Sequence, residues 1–150
     1  MHTIGLMSGT SLDGIDGVVF DTERLKLLSH FHMSYPESVK KACQSMIEAE
    51  KITFNQLVKL DQDLASAYLV VVDRLREQLT ETVNIKAVGN HGQTVFHDPH
   101  GNFPHTIQLG DGQRLAITTG LPVVNDFRTK DIILGGEGAP LVPIFHQKIF

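Results

Sequence analysis

Three short stations of small and polar residues interrupt the apolar runs of this chain: Gly9 to Asp16, Asn90 to Thr94, and Asn125 to Arg128. The first, Gly9-Thr10-Ser11-Leu12-Asp13-Gly14-Ile15-Asp16, combines glycines, two hydroxyls and acids. A glycine lacks the Cβ that keeps a ligand away from the backbone and reaches positive φ at no steric cost. Successive backbone N–H groups in such a turn form an anion-binding concavity, to which Thr10 and Ser11 add hydroxyls. Asp13 stands apart, because a carboxylate repels phosphate unless a cation or a water lies between them. No lysine follows the glycines and the station leads into a strand, so it is not a Walker A loop. An ordinary hairpin turn whose Ser and Asp cap their own backbone draws on the same residues, so both readings stand.

In the third station, Asp126 follows an apolar run, where partial burial would raise its pKa toward the range useful to a general base. Capping a helix or pairing with Arg128 are its structural alternatives. His91, flanked by Gly89 and Gly92, is placed to orient a sugar hydroxyl or a phosphate, or else to serve as a satisfied structural histidine. Asp111, Asp131 and Glu137 read as caps and solvated acids. His91, His97, His100 and His105 share one stretch, but their spacing matches no zinc pattern.

The elements that must position these stations follow from periodicity. Thr3 to Met7 and Ile15 to Phe20 read as strands around the first turn, and Arg24 to Tyr35 as a third antiparallel strand. Ser34 with Glu37 resembles a capping box, with Pro36 in the first turn of a helix running to about Glu48. Thr53 with Gln56 repeats that signal. Behind it, Leu57, Leu60, Leu64, Tyr68, Val71, Val72, Leu75 and Leu79 form the stripe of a long helix reaching about Glu81, which asks for no functional reading. Ile85 to Gly89 reads as a buried parallel strand, Asp98 to Phe103 as a loop, and His105 to Leu109 as a strand. Gln113 to Thr119 predicts a short helix behind Asp111, Leu121 to Val124 another strand, and Ile144 to Phe150 the start of a helix. The order β-β-β-α-α-β-β-α-β gives an α/β fold, a mixed sheet flanked by helices. All three stations then follow strands, where open α/β sheets gather their ligands.

With 150 residues the chain fits one domain with a sizeable core. A net charge of −4 leaves no electrostatic footprint for nucleic acid, and no apolar run approaches the ~20 residues of a membrane span. Cys43 is the only cysteine, which rules out an internal disulfide. The opening Met-His-Thr-Ile shows no charged and apolar export pattern, so the expected location is the cytoplasm.

Taken in order, GLMSGTSLDGIDGVVFD, GNHGQTVFHDP, TIQLGDGQRLA and VVNDFRTKDIILGGEGAPLVPIFHQKIF resemble the anhydro-N-acetylmuramic acid kinase family along nearly the whole chain. The resemblance implies the ribonuclease H-like first domain of the actin/Hsp70/sugar kinase superfamily, in which two α/β domains close over ATP. It implies a reaction in peptidoglycan recycling: water opens the 1,6-anhydro bridge of the amino sugar, O6 takes the γ-phosphoryl group of ATP, and N-acetylmuramic acid 6-phosphate results. By the same resemblance, Gly9, Thr10, Ser11, Leu12, Asp13, Gly14, Ile15 and Asp16 form the phosphate-binding hairpin, with Asp13 helping to place Mg²⁺ through water. Asp126 matches the base that activates the water, and His91, Gly92, Gln93 and Thr94 match a segment lining the sugar site. The glycine-rich run from Gly135 to Pro140 resembles a turn near the cleft, without a catalytic role. Family members are much longer, so this chain reads as the first domain, with the second contributed by a separate polypeptide or the chain acting as a homodimer. A catalytically incomplete sugar-binding or assembly module is the alternative, and a hydrolase using Asp126 and His91 without ATP a third.

Overall fold

The structure, a computed structural model, describes residues 1–80 and 83–150. Strands β1 (His2–Ser8), β2 (Gly14–Asp21) and β3 (Lys26–Ser34) form an antiparallel meander. Two helices follow, α1 (Glu37–Glu48) and α2 (Phe54–Glu77), and then β4 (Ile85–Asn90) pairs parallel to β1. Strands β5 (Gln93–Asp98) and β6 (His105–Leu109) make a separate antiparallel ribbon. Helix α3 (Gly112–Thr119) leads to β7 (Val123–Val124), parallel to β4, and α4 (Thr129–Ile133) and α5 (Val142–Ile149) complete the chain.

The five-stranded sheet has the order β3-β2-β1-β4-β7, so β1 is central and its carboxyl end lies beside that of β4. This is the ribonuclease H-like arrangement expected for a first domain of the superfamily. One sheet face buries Ile4, Leu6, Ile15, Val19 and Val88 against Leu64, Tyr68, Val71, Val72 and Leu75 of α2. Each such side chain contributes about 1.5–3 kcal/mol of hydrophobic stabilisation. Gly17 lets the helix come this close: a Cβ there would strike Val71 Cγ1 and lie 2.9 Å from Leu75 Cδ1. Cys43 of α1 is fully buried in the same layer, and burial pushes its thiol up to about 11. On the opposite face Phe20 meets the ring of Phe145 from α5 edge-on, at 6.4 Å between centroids.

Several expectations are corrected. Ser34 ends β3, paired with Gly14, and α1 begins only at Glu37 with Pro36 in the N-cap position, so Ser34 lies two residues too early to cap and the helix has no side-chain cap. The Thr53–Gln56 capping box forms, with the Thr53 N–H donating to Gln56 Oε1 at 2.8 Å and the Gln56 N–H to Thr53 Oγ1 at 3.3 Å. Helix α2 stops at Glu77, where the Gln78 N–H closes the last turn on the Arg74 and Arg76 carbonyls; its expected end at Glu81 falls outside the described residues. Gln93–Asp98 is a strand that the weak alternation of its residues hides, because ladder bonds to β6 hold it rather than a buried face. The strand expected over Leu121 to Val124 shrinks to two residues at the sheet edge, and α4 adds a helix where none was read.

Candidate functional site

The turn between β1 and β2 is closed by the Leu12 N–H donating to the Gly9 carbonyl at 3.3 Å. Leu12 takes φ 55° and sends its side chain into the core, which turns Thr10, Ser11 and Asp13 outward. The Ser11 hydroxyl donates to Asp13 Oδ1 at 2.9 Å. That bond, then the backbone N–H of Asp13, and more weakly the Gly14 N–H and the His32 charge, hold the Asp13 carboxyl below its ordinary range against the opposing effect of burial. The outward edge of the turn therefore carries a fixed negative charge beside Gly9 and Thr10. Gly14 is needed for packing, since a Cβ would strike the Met33 carbonyl of β3. Ile15 is fully buried, and Asp16 lies along β2 with its carboxylate 3.3 Å from His30 Nε2 and 3.1 Å from His32 Nδ1.

At the end of β4, His91 is nearly enclosed. Its Nδ1 lies 2.7 Å from the Gly92 carbonyl and its Nε2 lies 2.9 Å from Arg128 Nε. A carbonyl only accepts and a guanidinium N–H only donates, so Nδ1 carries the proton and the ring is neutral. Burial first, opposed by the Gly92 carbonyl, and then the Arg128 charge, hold its pKa below 6.5. Both ring nitrogens are engaged within the protein. Gly92, at φ 74°, has the Leu109 carbonyl 2.7 Å from where a Cβ would stand, a close approach that only glycine permits. Gln93 is fully buried, and its carboxamide nitrogen donates to the Gly9 carbonyl at 3.2 Å and the Thr94 carbonyl at 3.1 Å. Thr94 accepts a hydrogen bond from Gln108 Nε2.

Asp126 is exposed rather than partly buried, because the edge strand before it is only two residues long. It takes φ 55°, and its Oδ1 accepts the Thr129 N–H at 3.3 Å. Arg128 turns away from it, bonding His91 and the Gly138 carbonyl, so the glycine-rich segment is tied to the end of β4. Among the described residues, a cavity of about 280 Å³ opens here between Asn90, His91, Gly92, Gln108, Asn125 and Asp126. Asp126 is the one carboxylate on its wall, and its size is near the low end of the ~300–1,000 Å³ of small-molecule sites.

The three stations thus meet at one end of the sheet. Beyond the bond from Gln93 to Gly9, the Ser8 hydroxyl donates to the Gly92 carbonyl at 3.1 Å and sits 2.5 Å from the Tyr68 hydroxyl. Asp61 of α2 accepts the Gly110 N–H at 2.7 Å, holding the loop that borders the cavity. Sequence reasoning missed Ser8, Tyr35, Asp61 and Tyr68. The one available signal was a phenol on an otherwise aliphatic stripe. Asp111 caps α3 as expected, accepting the Gln113 and Arg114 N–H groups, and Asp131 accepts the Gly138 N–H. His97 bonds Thr106 and His100 pairs with Glu137; among the described residues no group of three or more His, Cys, Asp or Glu side chains is placed to hold a metal ion.

A sequence model of the anhydro-N-acetylmuramic acid kinase family matches residues 1–150. Two curated relatives carry the same description: one from Vibrio vulnificus strain CMCP6, 45% identical, and one from strain YJ016, 44% identical. Each comparison covers 98% of this chain and 40% of the relative, so the chain spans well under half the length of the proteins it matches. Motifs, topology and a family match along all 150 residues agree, and the chain belongs to the anhydro-N-acetylmuramic acid kinase family.

Proposed function

We propose that residues 1–150 form the first domain of an ATP-dependent kinase, supplying a phosphate-binding turn and one wall of a sugar site. The reaction is the one its family implies: water opens the 1,6-anhydro bridge of 1,6-anhydro-N-acetylmuramic acid, and O6 receives the γ-phosphoryl group to give N-acetylmuramic acid 6-phosphate, in cytoplasmic peptidoglycan recycling. The observation that carries this reading is the joining of the Gly9 turn, by hydrogen bonds from Ser8 and Gln93, to the segment that walls the cavity.

Within it, Gly9, Thr10 and Ser11 face the phosphates through backbone N–H groups and hydroxyls. Leu12, Gly14 and Ile15 set the course of the turn through packing, and Asp16 lies beyond it. Asp13, ionised and exposed, suits Mg²⁺ held through water, as expected of a cation that keeps several waters and takes one or two carboxylates. Bound there, Mg²⁺ would neutralise phosphate charge. His91 and Gly92 contribute wall surface, while Gln93 and Thr94 support it from behind. Asp126 accepts the proton of the attacking water. Its exposure leaves it accessible, and its bond to the Thr129 N–H fixes one oxygen while the other stays free of any protein donor among the described residues. Alignment and charge neutralisation supply most of the rate in such transfers, so a second domain, from another polypeptide or another copy, completes the cleft. Helix α5 supports that need: it carries Val142, Ile144 and Phe145 yet buries none of its residues.

The test is ADP release from ATP and Mg²⁺ with 1,6-anhydro-N-acetylmuramic acid, with and without a second-domain polypeptide. In whichever form turns over, Asp126→Asn is expected to lower kcat by about 10²–10⁴-fold with nucleotide Kd unchanged. Parallel loss of turnover and nucleotide binding would reduce Asp126 to its structural bond with the Thr129 N–H.

A further inference from the structure

We infer that Gln93 is a positioning residue that couples occupancy of the cavity to the phosphate turn, so that each ligand strengthens binding of the other. The inference rests on the reading of the turn and cavity given above. Gln93 is fully buried, so it contacts no ligand itself. Its chemistry is fixed by its partners. The carbonyls of Gly9 and Thr94 only accept, which assigns the donor end to them, and the Tyr35 hydroxyl then donates to Oε1 at 2.9 Å. Burial pushes the Tyr35 phenol up to about 12, so it stays a donor throughout the physiological range.

The position in the chain makes this a link rather than a simple brace. His91 and Gly92 wall the cavity, and Gln93 is the next residue. On the other side, the carbonyl it holds is the one that closes the turn by accepting the Leu12 N–H. One carbonyl therefore answers both to the turn's own geometry and to a side chain anchored on the cavity wall. A ligand that orders His91 and Gly92 orders Gln93, and through it the backbone of Thr10 and Ser11 in the turn. Coupling of this kind is reciprocal: the factor by which sugar tightens nucleotide equals that by which nucleotide tightens sugar.

The experiment is titration calorimetry of the 150-residue chain, completed by the second-domain polypeptide, with the Mg²⁺ complex of a non-hydrolysable ATP analogue, in the absence and presence of saturating 1,6-anhydro-N-acetylmuramic acid. The unmodified assembly is expected to bind the nucleotide roughly fivefold or more tightly with sugar present, the lower end of typical coupling factors. Gln93→Glu keeps the shape and the acceptor for Tyr35 but removes both donors, and is expected to bring that factor to one. Tyr35→Phe, which frees the carboxamide without placing a charge in the core, is expected to lower it at least twofold and carries the test should Gln93→Glu not fold. A merely structural role would weaken both affinities and leave their ratio alone. Coupling undiminished in Gln93→Glu or in Tyr35→Phe, or binding of both ligands without coupling in the unmodified assembly, overturns the role of Gln93 and leaves the site standing. Failure of the completed assembly to bind either ligand overturns the site, and the coupling with it.

Discussion

Removing the Tyr68 hydroxyl tests whether the turn and the end of β4 are locked by a directed chain of hydrogen bonds. The Gly92 carbonyl can only accept, so Ser8 donates to it, and Tyr68 must in turn donate to Ser8 Oγ. Both side chains are buried, and burial holds the Tyr68 phenol well above 10, so the proton order does not change with pH. In Tyr68→Phe, Ser8 loses a donor but keeps its own bond, and the expected cost is about 1 kcal/mol. In Ser8→Ala the phenol loses its Ser8 acceptor and keeps only the Tyr35 hydroxyl beside it, and the expected cost rises to about 2 kcal/mol. Gly92 O keeps the His91 Nδ1 proton in either case. The double variant removes the phenol that has lost its Ser8 acceptor, so it should cost no more than Ser8→Ala alone, giving a coupling of at least about 1 kcal/mol. Urea denaturation followed by circular dichroism reads this directly: with a slope of about 2 kcal/mol per M, the Ser8→Ala midpoint falls by about 1 M. Costs that add to within ~0.5 kcal/mol would refute the directed chain.

Gly17→Ala places a methyl against Val71 and Leu75, and overpacking there should cost about 1–3 kcal/mol and lower the thermal midpoint by roughly 3–10 °C; an unchanged midpoint would show that α2 is free to shift. His91 gives a pH dependence whose sign is fixed by its lowered pKa. Between its folded value and 6.5 the unfolded chain binds the proton and the folded chain does not, so its contribution is complete above 6.5 and declines as pH falls below it. His91→Gln should flatten the stability difference between pH 7.5 and pH 5.5, measured by urea titration, and an unaltered slope would assign that dependence to other groups.

The long helix was readable because Leu60, Leu64, Val71 and Leu75 repeat at helical spacing, and Thr53 with Gln56 marks its start by a pattern complete within four residues. Ser34 with Glu37 shows the same letters without the outcome, since β3 runs through Ser34, paired with Gly14, and the helix starts only at Glu37, with Pro36 where the cap would be. The three stations were legible as polar interruptions after apolar runs, and hydrogen bonds bring them to one end of the sheet. Their linkage was not. Tyr68 reads as one more apolar position until a sheet brings Ser8 to it across sixty residues. The environment of Asp126 was likewise hidden, because nothing in Leu121 to Val124 says that only two residues will pair.

Cys43 offers an internal clock for this assembly. It is the sole cysteine, fully buried on α1, with a thiol held near 11, so at neutral pH it is both unreachable and almost wholly protonated. Only the thiolate reacts, and a chain that opens returns Cys43 to its ordinary reactivity. The rate at which a thiol reagent labels the native protein therefore counts openings of the α1 layer. The same rate, followed as ligands are added, would report how firmly they hold that layer shut without a chromophore or a catalytic assay.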